Sequence, residues 1–147
     1  MLAYIDSSVL ARAYLPDEPG HAEAAALLAG ADHLLVTATW TLVEVTSALV
    51  RATRVGRHGD IDALLGVLAA DTGEDGTVTL LRADPEQVER RAVEIVRDHA
   101  LRSLDAMHLV VASLAAVPLL GPGDSLGLAS RDEAQRQAGV ALGFIEM

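Results

Sequence analysis

Residues 2–15 read LAYIDSSVLARAYL, and this stretch decides the fold. A short apolar run, Leu2–Ile5, ends at Asp6, and two serines then lead into the helix-like sequence VLARAYL. Four residues are too few for a helix, whereas Asp and Ser are common where a helix begins. The stretch therefore predicts a strand that passes directly into a helix, with Asp6 at the junction.

The same alternation of strand and helix continues along the chain. Five short apolar runs are predicted as strands: Leu2–Ile5, Leu34–Thr37, Thr77–Leu81, Ser125–Ala129 and Val140–Phe144. The segments with helical periodicity between them include 23–28, 39–53, 61–70, 85–99 and 103–116. Strands that alternate with helical crossovers favour an α/β fold, here three layers (α/β/α) around a five-stranded parallel sheet. With 147 residues and no internal repeat, we expect a single domain over residues 1–147.

The composition excludes several classes of protein. The chain has no cysteine, which excludes disulfides and thiolate metal sites, and its eleven basic residues are all arginine. The missing lysine excludes Walker-type phosphate loops, Schiff-base enzymes and kinases. No apolar run is long enough to span a membrane, and the start MLAYIDSS lacks the features of a signal peptide. We therefore expect a soluble, cytoplasmic protein.

The net charge is −10, so the chain lacks the overall excess of positive charge that is typical of nucleic-acid-binding proteins. An acidic protein can still act on a polyanion where metal ions and local arginines supply positive charge. Three acids stand at strand ends or helix starts. Asp6 and Asp132 each follow a predicted strand, and Asp105 lies in the first turn of a predicted helix with Ser103 as its candidate N-cap. Helix capping alone explains each of these acids taken singly.

Glu44 is harder to explain by capping. It lies in TATWTLVEVTSALV, where apolar residues cover almost every direction around the helix, and such a helix is predicted to be buried. An unpaired carboxylate there costs several kcal/mol, so a cation should face Glu44. That cation is either a metal ion or an arginine, with Arg12, Arg102 and Arg131 as the candidates.

Three further polar residues leave alternatives open. Asp124 and Glu133 compete with Asp132 for the fourth position, but Asp124 precedes its strand and is predicted as a turn residue. Glu133 points about 100° away from Asp132 if both are helical, so we choose Asp132. His108 could form an Asp-x-x-His metal pair with Asp105; we favour a hydrogen-bonded, partly buried histidine instead.

Taken together, Asp6, Glu44, Asp105 and Asp132 are explained by one site. Three of these acids follow a strand or open a helix, and ligands of such sheets bind beyond the carboxyl ends of the strands. Carboxylates that converge without lysine suit a hard divalent cation such as Mg²⁺, for which Mn²⁺ substitutes. Arginines such as Arg102 and Arg131 are candidates for holding the phosphates of a bound polyanion.

Four motifs now carry a family resemblance. YIDSSVL, TLVEVTSAL, SLDAMHL and SRD, in this order and at these separations, resemble the PIN domain and most closely the VapC-type toxins of bacterial toxin–antitoxin modules. The resemblance covers essentially the whole chain. It implies a Mg²⁺-dependent endoribonuclease with Asp6, Glu44, Asp105 and Asp132 as the catalytic, metal-binding acids. Ser8 and Ser130 would be supporting hydroxyls.

The resemblance also implies partners. These are an RNA substrate, a cognate antitoxin that blocks the site with its C-terminal segment, a second copy in a homodimer, and DNA only through the antitoxin. Three other interpretations compete with it. They are a non-catalytic PIN-like domain that binds RNA or protein, a phosphatase of the haloacid-dehalogenase type, and a purely structural partner whose acids are caps and ion pairs. The phosphatase would need a second Asp where Ser8 stands, and a lysine.

Overall fold

Five strands and seven α-helices alternate in the computed structural model, which describes residues 1–147. The strands are β1 Leu2–Ile5, β2 Leu34–Ala38, β3 Val78–Leu81, β4 Leu126–Ala129 and β5 Ile145–Glu146. The helices are α1 Ser7–Ala13, α2 His21–Ala29, α3 Thr41–Arg54, α4 Ile61–Asp71, α5 Pro85–His99, α6 Ser103–Val111 and α7 Glu133–Ala141. After α6 the chain continues through a π-helical turn, Ala112–Ala116, and a short 3₁₀ helix, Val117–Leu119. No single helix is both long and apolar enough to cross a bilayer.

The sheet is fully parallel, with the strand order β3-β2-β1-β4-β5. Its centre is β1, where Leu2 aligns with Leu34 of β2 on one side and with Leu126 of β4 on the other. The chain moves outward from β1 in one direction first and then in the other. This reversal places a crevice at the carboxyl end of β1, which is where open α/β sheets bind their ligands.

Helices cover both faces of the sheet, and the central strand β1 is therefore buried on both sides. Its residues alternate between the faces, so Leu2 and Tyr4 belong to one core while Ala3 and Ile5 belong to the other. The first core is completed by residues of α5, α6 and α7, and the second by residues of α1 to α4. The predicted α/β fold, with a five-stranded parallel sheet between two helical layers, is confirmed.

The fifth strand is the main error of the sequence prediction. Residues 140–144 are not a strand: α7 runs to Ala141, a turn follows, and β5 is Ile145–Glu146. The first two residues of the run belong to α7, whose buried residues Gln135, Ala138 and Gly139 follow helical spacing, and Val140 lies on the exposed side of this helix. Gly143 then stops the helix with a φ of 90°. The apolar side chains that suggested a strand therefore lie at a helix end.

The start of α6 differs from the prediction in a smaller way. Ser103 is the first helical residue and not the N-cap. Arg102 occupies the N-cap position with extended backbone and makes no capping bond with its side chain. A guanidinium only donates hydrogen bonds and so cannot cap the N–H groups of a helix start; that of Arg102 donates to Asp105 and Asp132 instead.

Candidate functional site

All four predicted acids line one cavity of about 360 Å³. The lining residues are Asp6, Ser7, Ser8, Glu44, Arg102, Ser103, Leu104, Asp105 and Asp132. Only one of these nine is hydrophobic. The cavity lies where β1 passes into α1, and the acids reach it from four separate segments of the chain. The four acids that the sequence predicts to share a site thus border the same cavity.

Asp6 is fixed at the bottom of this acidic cavity. Its backbone N–H donates to the carbonyl of Ala129 at 2.9 Å, which ties the end of β1 to the end of β4. Its Oδ2 caps α1 by accepting from the Ser8 N–H at 3.1 Å. Its Oδ1 is buried and accepts no hydrogen bond, although the residue is only 3% exposed. A buried carboxylate oxygen without a partner is costly, so Oδ1 is the atom of this site that most needs a ligand.

Glu44 occupies a different environment from the predicted one. Helix α3 buries only one face, through Thr41, Val45, Leu49 and Ala52, while Val43 is 71% exposed. The prediction of an all-round buried helix is therefore wrong, and the Glu44 side chain is 23% exposed at the cavity. No arginine pairs with it. Its Oε2 instead lies 2.8 Å from Nε2 of His108.

His108 is completely buried and bonded at both ring nitrogens. Nδ1 lies 2.9 Å from the Tyr4 hydroxyl, and Nε2 lies between Glu44 and Oδ1 of Asp6, at 3.5 Å from the latter. Burial raises the pKa of Tyr4 well above its usual value, and the charges of Asp6 and Glu44 raise it further. The sequence favours a hydrogen-bonded, partly buried histidine; the hydrogen bonds are present, but the burial is complete. The sequence does not predict its connection to two of the acids.

Asp105 and Asp132 share a single counter-ion, Arg102. The guanidinium donates from Nε to Asp105 at 2.9 Å and from Nη2 to Asp132 at 2.8 Å. Its side chain is 77% exposed, so it covers the acids from the solvent side. Burial raises the pKa of Asp105, Arg102 opposes that shift, and the charges of Asp6 and Asp132 add to it. Repulsion between neighbouring acids is expected to raise a carboxyl pKa. For Asp105, burial raises the pKa more than the charges of its acidic neighbours do.

The predicted hydroxyls differ in their placement. Ser8 lines the acidic cavity, and its Oγ accepts from the Arg131 N–H at 3.1 Å. Ser130 is buried and does not line the cavity; its Oγ accepts from the Asp132 N–H at 3.0 Å. The Ser8 hydroxyl therefore holds the loop after β4 against α1, and the Ser130 hydroxyl stabilises the loop from within. This loop presents Asp132, whose Oδ1 caps α7 at Gln135.

Arg131, the other arginine predicted as a candidate for holding phosphates, does not line the acidic cavity. Its guanidinium lies beside Gly20 and lines a second cavity together with Arg12 and Arg136. Arg102, in contrast, is in the acidic cavity, where it contacts carboxylates rather than a phosphate.

The two other candidates for the fourth acidic position, Asp124 and Glu133, lie outside the acidic cavity. Asp124 accepts from the Gly121 N–H at 3.0 Å in the turn before β4, as predicted for a turn residue. Glu133 opens α7, and its carboxylate accepts from Gln137. Neither lines the acidic cavity. Of the three candidates for the fourth position, only Asp132 does.

The arrangement does not form a ready metal centre, because no three acidic or histidine side chains are close enough to hold an ion together. Arg102 forms a hydrogen bond with one oxygen of Asp105 and one of Asp132, and His108 forms one with an oxygen of Glu44. The donor set nevertheless fits a hard divalent cation. It consists of carboxylate oxygens, one of which is buried without a partner, and the arginine that competes for them is exposed.

Comparison with known proteins gives one family result. A family model described as "PIN domain" matches residues 3–140, a range that contains all four acids. A search of curated proteins gave no match.

Proposed function

The chain belongs to the PIN domain family, whose members are typically metal-dependent nucleases, and we propose on that basis that it is a Mg²⁺-dependent endoribonuclease. We propose further that it acts as the toxin of a bacterial toxin–antitoxin pair of the VapC type. The observation that carries the proposal is the small polar cavity lined by Asp6, Glu44, Asp105 and Asp132. Caps or isolated ion pairs do not require acids from four segments to meet in one place.

These four acids would hold the divalent ion. When bound, Mg²⁺ or Mn²⁺ activates a water molecule and neutralises charge on the phosphate. Asp6 is the best-defined ligand, since its capping bond fixes the carboxylate and leaves Oδ1 free. Asp132 is fixed in the same way by its capping bond to Gln135. The two acids at strand ends are therefore preorganised, which lowers the cost of binding a cation.

Arg102 is the residue best placed to meet the substrate. It lies at the mouth of the cavity on an exposed side chain and already binds two oxyanions. A phosphodiester offers the same paired oxygens as a carboxylate, and guanidinium groups bind both. On arrival of RNA, Arg102 would exchange its carboxylate partners for a phosphate, and this would open the acids to the metal ion.

The partners in this proposal are RNA, a cognate antitoxin and a second copy of the chain in a homodimer. A chain of charge −10 with an acidic cavity favours a partner segment that is basic. The antitoxin would supply that segment and any contact with DNA. In this proposal the protein acts on cellular RNA in the cytoplasm.

The test compares the purified wild-type protein with Asp6→Asn and Glu133→Gln, in Mn²⁺ and in EDTA. Glu133→Gln is the matched control, because it removes an acid beside Asp132 that does not line the cavity. We expect metal-dependent cleavage of RNA by wild type and control, and none by Asp6→Asn. In a bacterial host, toxicity and new RNA ends should follow the same pattern. A non-catalytic binding domain would retain RNA binding and yield identical RNA ends for all three proteins.

A further inference from the structure

The imidazole of His108 connects three elements of the fold beneath the acidic cavity. The residue stands on α6, one turn after Asp105, and is completely buried. Nδ1 meets the Tyr4 hydroxyl of β1 at 2.9 Å, and Nε2 meets Oε2 of Glu44 on α3 at 2.8 Å. The side of the ring is packed by Trp40, whose ring centre lies 5.7 Å away. Neither the capping bonds nor the Arg102 contacts account for this connection.

The position of the ring protons follows from the partners. An ionised carboxylate only accepts hydrogen bonds, so the short contact to Glu44 requires a proton on Nε2. In the neutral ring, Nδ1 is then an acceptor and the Tyr4 hydroxyl is its donor. Tyr4 is suited to donate, since its raised pKa keeps the phenol protonated. The chain of donors therefore runs from Tyr4 through His108 to Glu44.

We propose that His108 is a positioning residue of the acidic site, which holds the Glu44 carboxylate in place through Nε2–H and is itself held by Tyr4. The role rests on the proposed function, because it concerns the cation that these acids would bind. His108 does not line the acidic cavity but lies behind Glu44 and Asp6, which do. In this proposal it does not bind the cation itself.

Glu44 needs such support more than the other acids do. Asp6 and Asp132 are fixed by capping bonds, whereas Glu44 has a longer, partly exposed side chain and caps no helix. With Oε2 held by His108, Oε1 remains available as a ligand. The same Nε2 lies 3.5 Å from the free Oδ1 of Asp6, so the ring sets the spacing between the two acids. Removal of a residue that hydrogen-bonds to a metal ligand commonly weakens metal binding about 10- to 100-fold.

The experiment measures Mn²⁺ affinity by titration calorimetry on the full chain, with stability measured separately in EDTA. His108→Leu removes both bonds, His108→Gln keeps an amide donor for Glu44, and Tyr4→Phe removes only the hydroxyl. Val110→Ala is the control, because it opens a cavity in the same buried helix away from Glu44. We expect about 10- to 100-fold weaker binding for His108→Leu, partial rescue in His108→Gln, and an intermediate loss in Tyr4→Phe. The control should lose stability and bind Mn²⁺ like wild type.

A second measurement needs no variant and no metal. The ¹⁵N shifts of His108 in the wild-type protein should show the tautomer with the proton on Nε2, and a proton on Nδ1 alone would overturn the proposal. The proposal would also be overturned if His108→Leu and Tyr4→Phe bound Mn²⁺ as strongly as wild type does. That result would not contradict the proposed nuclease function. If the wild-type protein binds no Mn²⁺, the positioning role and the proposed function fall together.

Discussion

Asp105 and Asp132 lie on different segments of the chain and are joined by one guanidinium, that of Arg102, at 2.9 and 2.8 Å. Both acids thus bond to a cation in the absence of any metal ion, although one guanidinium offsets only one of their two negative charges. The compensation is easily removed, because the arginine side chain is 77% exposed and borders the cavity mouth. The protein therefore keeps its acids together with a counter-ion that solvent, substrate or a cation can displace.

Replacing Arg102 should accordingly strengthen cation binding. In Arg102→Gln we expect Mn²⁺ to bind about two- to fivefold more tightly, since exposed ion pairs typically contribute about 1 kcal/mol or less. RNA binding in EDTA should weaken in the same variant, because a phosphate contact is lost. Calorimetry and fluorescence anisotropy measure the two effects. Arg90→Gln, an exposed arginine of α5, is the control and should change neither. Weaker Mn²⁺ binding in Arg102→Gln would show that the arginine supports the metal site rather than competing with it.

The raised pKa of Asp105 predicts a pH dependence of stability without metal. A carboxyl whose native pKa exceeds its unfolded value of 3.8 binds its proton more tightly in the folded state. Its contribution is present at low pH and is lost as pH rises from about 3.8 through the raised native value. Urea unfolding in EDTA between about pH 4 and pH 7 should show this loss in wild type relative to Asp105→Asn. Added Mn²⁺ should restore stability near neutral pH. Parallel pH profiles for the two proteins would contradict the prediction.

A matched pair of N-caps separates capping from chemistry. Asp6 and Asp60 both cap a helix, at Ser8 and Ala63 respectively, but only Asp6 lies in the acidic cavity. Asparagine caps about as well as aspartate, so Asp6→Asn and Asp60→Asn should each lose only a few tenths of a kcal/mol. RNA cleavage and Mn²⁺ binding should fail in Asp6→Asn alone. If both variants cleave RNA and melt like wild type, Asp6 is a cap and nothing more.

The sequence reveals those parts of the site that depend on neighbouring residues. Asp6 and Asp132 follow strands and cap helices, and both properties are set within a few positions of the chain. The parallel sheet follows from the alternation of short apolar runs with helices. The fifth strand could not be placed, because the apolar run 140–144 is equally compatible with a helix end closed by Gly143.

Contacts between residues far apart in the chain leave no local pattern from which they could be predicted. His108 meets Glu44 and Tyr4, which lie 64 and 104 positions away in the chain. The sequence predicts a buried cation at Glu44 because apolar residues surround this acid in the helical projection. In the structure α3 is buried on one face only, so the Glu44 carboxylate is partly exposed, and its partner is His108 rather than an arginine. Likewise, Arg102 and Arg131 are equivalent candidates in the sequence, and only the folded structure shows that Arg102 lines the acidic cavity whereas Arg131 lies beside Gly20.

The partner of Glu44 determines what Glu44→Gln should do. A glutamine can accept from His108 Nε2–H through its amide oxygen, so the hydrogen bond survives while a negative charge near Asp6 is removed. We therefore expect the free energy of unfolding in EDTA to stay within about 1 kcal/mol of wild type or to rise. Metal binding and RNA cleavage should be lost.

A structural ion pair predicts the opposite result for the same variant. If His108 were a charged partner of Glu44, removal of the carboxylate would leave a buried cation unpaired and cost on the order of 3–5 kcal/mol. Urea unfolding in EDTA distinguishes the two cases, and Mn²⁺ calorimetry on the same sample reports the site. Glu44→Asp completes the comparison, because it keeps the charge but shortens the reach to His108 by one methylene. Stable, inactive Glu44→Gln together with folded, weakly binding Glu44→Asp would identify Glu44 as a ligand whose position, as well as its charge, the site requires.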